Sequence, residues 1–173
     1  YYHRFTGAFK DVHSLASASE DEILKLWQGL GYYSRARNLH AAAKDVVNRF
    51  GGKFPESYDE LKSLKGVGEY TAAAIASFAF SKPHAVVDGN VFRLLSRYFG
   101  IYTPIDTGQG KKEFSLLANK LLGKHQPNVF NQAIMEFGSR QCKPSSPDCT
   151  SCPLQTTCFA FENEKVNELP VKS

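Results

Sequence analysis

A chain of 173 residues with a net charge of +4, 42% hydrophobic and 22% charged residues, is long enough to bury a core as one large domain or two small lobes. This composition excludes a disordered chain, no apolar run reaches the roughly 18 residues of a membrane span, and Tyr1-Tyr2-His3-Arg4-Phe5 lacks the apolar stretch of a secretory signal. The excess of 21 Lys and Arg over 17 Asp and Glu is too small to establish nucleic-acid binding by itself, so the placement of the charges matters more than their sum.

In chain order, the first predicted helix covers 19–30. Ser19-x-x-Glu22 is a capping box, Ile23, Leu26, Trp27 and Leu30 follow at helical spacing, and Gly29 and Gly31 stop it. A second helix is predicted over 34–50, with Leu39, Ala42, Ala43, Val46 and Phe50 on one face and Gly51-Gly52 as terminator. Ser57-x-x-Glu60 caps a third that carries Leu61 and Leu64, and a fourth over 69–80 follows Gly66-Val67-Gly68, its Ala72-Ala73-Ala74 permitting close packing. A short extended piece at 85–87 leads to Asp88-Gly89-Asn90. The next helix places Val91, Leu94, Leu95 and Tyr98 at steps of three and four and ends at Gly100; two more are expected over 111–122 and 128–140. No stretch alternates polar and apolar long enough for a sheet, so the expected class is all-α.

Four constellations could carry chemistry. Cys142, Cys149, Cys152 and Cys158 are the four cysteines of the chain, and Pro144 and Pro147 prevent the loop between the first two from being helical throughout. Such a loop wraps around a centre: a structural zinc or an iron–sulfur cluster held by four thiolates. Disulfides would leave the 141 residues before Cys142 unstapled, and the uneven spacing matches the paired knuckles of structural zinc poorly. In Leu64-Lys65-Gly66-Val67-Gly68-Glu69-Tyr70 the glycines make a tight interhelical turn beside a helix N-terminus, which suits a phosphate, with Val67 tucked inward; an ordinary turn is the alternative. In Val86-Val87-Asp88-Gly89-Asn90 the acid stands at a helix start, where aspartate is also a common cap. If the glycine turn holds DNA, the same carboxylate can face a nucleotide sugar and stabilise the oxocarbenium ion of N-glycosidic cleavage. In Gly29-Leu30-Gly31-Tyr32-Tyr33-Ser34-Arg35, Tyr32 at a glycine-flanked tip could wedge into a base step, where stacking is worth about 1–3 kcal/mol, with Arg35 on a nearby phosphate; Tyr33 is expected on the core with its hydroxyl wet. The basic clusters Arg35/Arg37, Lys62/Lys65, Arg93/Arg97 and Lys111/Lys112, taken singly, read as solvated surface charge.

Together these residues resemble the helix-hairpin-helix DNA glycosylases with a four-cysteine iron–sulfur loop, and within them the adenine DNA glycosylases of the MutY type. The motifs at 29–39, 66–72, 87–91 and 130–133 and the cysteine spacing carry the resemblance, which covers essentially the whole chain. It implies a two-lobed helix-hairpin-helix glycosylase fold, with a core over 1–140, the hairpin at about 58–80, a [4Fe–4S] loop over 141–160 held by Cys142, Cys149, Cys152 and Cys158, and the start of a linker over 161–173. It implies an intracellular, DNA-associated monomer bound to double-stranded DNA with an adenine:8-oxoguanine mispair across the cleft between the lobes. The adenine is flipped out and excised in base excision repair. Asp88 resembles the carboxylate that stabilises the sugar cation, Asn90 its positioning partner, and Tyr70 the residue that hydrogen-bonds the acid. Gly66, Val67, Gly68, Tyr32, Arg35 and Lys143 would contact DNA. Endonuclease III relatives carry at the Tyr70 position a lysine that forms a Schiff base, so the phenol implies a monofunctional enzyme.

The chain departs from the family in two respects. The glutamate that protonates the leaving adenine has no match among Glu20, Glu22 and Glu60, so a polypeptide of this sequence is expected to excise slowly, since general acid catalysis supplies about 10²–10⁴ in rate. Lys65 stands where the turn more often has proline. The competing expectations are a thymine or oxidised-pyrimidine glycosylase of the same superfamily, and a non-catalytic DNA-binding module on the same scaffold.

Overall fold

The structure, a computed structural model, describes residues 1–173. It is helical throughout: α1 (Tyr2–Ala8), α2 (Val12–Ser17), α3 (Glu20–Trp27), α4 (Tyr33–Phe50), α5 (Tyr58–Lys62), α6 (Glu69–Phe80), α7 (Gly89–Phe99), α8 (Gly108–Leu122), α9 (Pro127–Arg140), a 3₁₀ turn (Gln155–Thr157) and α10 (Phe159–Glu162). No helix is long and apolar enough to cross a membrane. The chain divides within α6 into two compact units, Tyr1–Ala72 and Ala73–Ser173.

In the first unit α2 and α3 pack on the long α4, and α1 on α3. Each start has a local cause. Asp11 accepts from the Ser14 amide at 2.7 Å while Ser14 Oγ accepts from the Asp11 amide, a reciprocal box that nucleates the six-residue α2. Ser19 and Glu22 form the same box at α3, as their spacing predicts. Phe5 meets Phe9 and Trp27 edge-on, with ring centroids 5.0 and 5.7 Å apart. Helix α4 differs from its predicted face. Its buried stripe runs through Ala36, His40, Ala43 and Val46, while Leu39 is 40% exposed. Alanines at 36 and 43 let neighbouring helices approach closely, and that steric fit outweighs the greater hydrophobicity of leucine. His40 fills an apolar position on the stripe, and its Nε2 finds no hydrogen-bond partner.

In the second unit the core gathers Ala85, Val91, Leu95, Phe114, Ala118 and Leu122, drawn from the segment before α7 and from α7 and α8, with Ile134 and Met135 of α9 against it. The extended piece at 84–86 joins no sheet, so side chains supply its hydrogen bonds. Asn131, fully buried, accepts from the Val86 amide at 2.9 Å and donates to the His84 carbonyl and Ser77 Oγ, each at 2.9 Å. Asn119 Oδ1 accepts from the Ala85 amide at 3.0 Å. Every polar group of Asn131 that faces this backbone is satisfied, which is the condition for burying an amide without penalty. Beyond the cysteine loop the chain returns to the core: Leu169 is 2% exposed, Ile105 N donates to Val171 O, and the Ser173 amide to Asp106.

Candidate functional site

The first unit presents two projecting turns. Between α3 and α4, Trp27 Nε1 donates to the Gly31 carbonyl at 3.1 Å, folding the glycine-flanked loop back onto its own helix. Tyr32 then stands at the head of α4 with φ 47°, ψ 55°, a left-handed conformation uncommon for an aromatic residue. It is 80% exposed, twice the 40% of Tyr33. Tyr33 is thus less covered than the core position expected of it. The Arg35 guanidinium lies 5.9 Å from the centre of the Trp27 ring, a cation–π contact beside the loop, while the residue stays exposed. Arg37 is committed to Glu20 at 2.7 Å.

The second turn joins α5 to α6. Ser57 caps α5 by accepting from the Glu60 amide, Leu61 and Leu64 are buried, and Val67 N donates to Leu64 O at 3.1 Å. Gly66 has φ 77°, and a Cβ there would sit 2.5 Å from Asn38 Cβ, so the turn both needs left-handed backbone and has no room for a side chain. A Cβ on Gly68 would meet nothing within 4 Å, so that face is open. Val67 is half-buried. Lys62 pairs with Glu69 at 2.9 Å across the turn, and the Lys65 amide donates to Asp45. Gly68 leads directly into α6, whose first-turn amides lie outside the intrahelical hydrogen-bond ladder. Tyr70, on that first turn, is 49% exposed.

In the second unit Asp88 is the N-cap of α7. Its Oδ1 accepts from the Asn90 and Val91 amides at 2.9 and 2.8 Å, and its Oδ2 from Asn90 Nδ2 at 2.9 Å. The cap expected from spacing is therefore present, and the carboxylate is fixed in direction by three donors. Asn90 Oδ1 in turn accepts from Arg93 Nη2 at 2.9 Å. Arg93 also donates to Gly138 O at 2.6 Å and, through Nε, to Cys142 O at 2.7 Å. Helix α9 comes this close to the head of α7 because residue 138 has no side chain: a Cβ there would stand 2.7 Å from the Asn90 carbonyl oxygen. Arg93 and Arg97 are 8% and 3% exposed, which corrects their expected place as solvated surface charge. Beside the local Asn90 contact of Arg93, their acceptors are carbonyls of the cysteine loop and its surroundings, more than forty residues away in the chain. Burial pulls the Arg93 guanidinium below its ordinary value, opposed by the nearby Cys142 sulfur. No single-helix pattern could have found these arginines; the absence of a carboxylate at i±3 or i±4 from either was the available hint.

The four cysteines are free thiols, none paired as a disulfide, and all four line one cavity with Leu94, Phe137 and Leu154. No three His, Cys, Asp or Glu side chains converge tightly enough for a single ion. Burial pushes the Cys149 thiol up, and the charges of Cys142, Cys158 and Cys152 add to the shift. Four sulfur donors lining one cavity are a donor set that suits a thiolate-bound metal centre. Lys143 is exposed at the start of the loop while its carbonyl is held by Arg97 at 2.8 Å.

A family model described as "HhH-GPD superfamily base excision DNA repair protein" matches residues 1–121. The chain is 38% identical over 172 residues to a protein of Buchnera aphidicola subsp. Baizongia pistaciae named adenine DNA glycosylase, covering 99% of this chain and 48% of that protein. Other relatives at 34–43% identity carry the same name. This chain thus spans half or less of the length of the curated relatives it matches. Among solved structures, a thermostable thymine-DNA glycosylase superposes with a TM-score of 0.85 at 31% identity, covering 94% of this chain and 75% of that one. A non-covalent endonuclease III–DNA complex superposes with a TM-score of 0.78 at 27% identity, with the same coverage of each chain.

Proposed function

Because the chain belongs to the HhH-GPD superfamily of base excision DNA repair proteins, we propose that it carries the glycosylase machinery of an enzyme that removes adenine mispaired with 8-oxoguanine. The observation that carries this reading is the Asp88 carboxylate, aimed by three hydrogen bonds at the head of α7, in a chain whose named relatives are adenine DNA glycosylases. Adenine leaves the stack at a cost of a few kcal/mol, and Tyr32, held out on its braced loop, fills the gap by stacking. The Gly66-Val67-Gly68 turn and the first-turn amides of α6 take a backbone phosphate, and Arg35 and Lys143 add positive charge to DNA contacts.

The C1′–N9 bond then breaks with its electron pair departing on the base, and the sugar becomes an oxocarbenium ion. Asp88, preorganised by its donors, stabilises that cation at no reorganisation cost during the reaction. Asn90 keeps the carboxylate aimed. Water adds at C1′ and the proton it loses ends on the departed adenine anion, leaving neutral adenine and an abasic site. The Tyr70 phenol offers no amine to attack C1′, so the strand stays intact.

The group that fits the cysteine loop is a [4Fe–4S] cluster held by Cys142, Cys149, Cys152 and Cys158. Four cysteines lining one cavity, at a spacing that matches the paired knuckles of structural zinc poorly, are the donor set that would hold such a cluster. When bound it supplies a rigid cross-link that shapes the loop bearing Lys143.

Single-turnover assays on matched duplexes test this. Asp88→Asn in the protein carrying this chain is expected to lose excision of adenine opposite 8-oxoguanine while duplex binding stays near wild type. The 31% identity to a thymine-DNA glycosylase supports a second reading, and a guanine:thymine duplex in the same assay decides it. Thymine release without adenine release overturns the adenine assignment, and continued excision by Asp88→Asn overturns the role of Asp88.

A further inference from the structure

Arg97 sits one turn beyond Arg93 on α7 and is 3% exposed. Its Nη1 donates to the Lys143 carbonyl at 2.8 Å and approaches Cys142 Sγ at 3.5 Å, and its Nη2 donates to the Pro144 carbonyl at 3.2 Å. Its Nε donates to the Leu169 carbonyl at 3.0 Å, and its own backbone carbonyl lies 3.7 Å from Cys158 Sγ. One residue therefore touches the first and last cysteines of the loop and the segment that returns to the core after it.

A guanidinium stays charged in a protein, and a buried cation needs compensating negative charge. Carbonyls orient Arg97 but leave its charge in place; sulfur is the partner that can become anionic. Four thiolates around a cubane make a net anion, and N–H donors to its sulfurs favour the reduced, more negative state. We propose that Arg97 is the charge partner of the cluster at its Cys142 corner and the latch that fastens the 142–144 loop and the 169 segment around it. This rests on the iron–sulfur reading above. Arg97 is a positioning residue: it touches no reacting atom of DNA and acts through the cysteine loop.

The test uses the anaerobically purified protein carrying this chain. It compares wild type, Arg97→Gln, Arg97→Lys and Leu169→Ala for iron and acid-labile sulfide content, iron release to a chelator, and reduction potential. Loss of an outer partner of this kind weakens metal affinity about 10–100-fold, so Arg97→Gln is expected to lose iron correspondingly more readily and to show a more negative potential. Arg97→Lys keeps the charge without the fork and should shift the potential in the same direction by less. Leu169→Ala loosens the returning segment but leaves the guanidinium on Cys142, so it should melt earlier with the wild-type potential. A wild-type potential and iron release in Arg97→Gln overturn the proposal. So does a potential shift in Leu169→Ala equal to that of Arg97→Gln, which would assign the effect to packing. Should Arg97→Gln not fold, an unchanged potential in Arg97→Lys is sufficient to overturn it. Wild-type protein without iron and sulfide overturns the cofactor reading and this inference with it, whereas an iron-loaded wild type unaffected by Arg97 leaves the cofactor reading standing.

Discussion

Asp88 serves as the cap of α7 and as the carboxylate proposed for chemistry, and substitution separates the two roles. Asparagine keeps the two cap bonds at Oδ1 but turns an amide NH2 toward Asn90 Nδ2, so Asp88→Asn is expected to cost about 0.5–1 kcal/mol. Asp88→Ala loses all three bonds and should cost about 0.5–2 kcal/mol. Urea denaturation of both variants checks this, and equal losses would show that charge rather than capping stabilises α7. Asp88 was legible in the sequence because a cap depends on residues within three positions of it. Arg93 and Arg97 were visible only as two charges four apart. Their burial depended on acceptors at Gly138, Cys142, Lys143 and Leu169, which no local pattern brings together.

Helix starts and stops followed the sequence where capping chemistry is local. Helix α6 spans Glu69–Phe80 as its pattern predicts, and Ser19 and Ser57 cap as expected. Helices α1, α2 and α10 were not anticipated: four to seven residues hold too few turns to show a period. The Asp11-x-x-Ser14 box was the signal available for α2. How closely helices approach is set by their smallest residues. Gly138→Ala would place a methyl 2.7 Å from the Asn90 carbonyl oxygen, and neither backbone can yield cheaply. The expected cost is about 1–3 kcal/mol, together with slower adenine excision, because α9 then presses on the residue that aims Asp88. A thermal melt and a single-turnover assay on that variant check both; wild-type values in each would show that α7 and α9 separate without consequence.

Across the whole chain, carboxylates in both units are held below their ordinary range by hydrogen bonds: Asp11 by the Ser14 amide, Glu22 by the Ser19 amide, Asp106 by the Ser173 amide, Glu136 by Arg140 and Asp148 by Ser151. A depressed folded pKa means that the unfolded chain binds more protons on acidification. The stabilisation is therefore complete above the ordinary carboxylate range and is lost as pH falls below it through the lower folded values. Melting temperature is expected to decline across that window and to decline less steeply in Glu22→Gln; parallel curves would remove Glu22 from the acid response. The chain divides at Ala72 into two compact units. By itself, the sequence determined the all-helical class, the capped helix starts, the two glycine turns and the gathering of four cysteines in one loop, because each depends on neighbours within a few residues. Only the tertiary structure decided which face of α4 is buried, that Asn131 replaces a missing sheet partner, and that two arginines lie beneath the cysteine loop. Those outcomes depend on steric fit and hydrogen-bond acceptors supplied by distant segments, whose proximity exists only once the chain has folded.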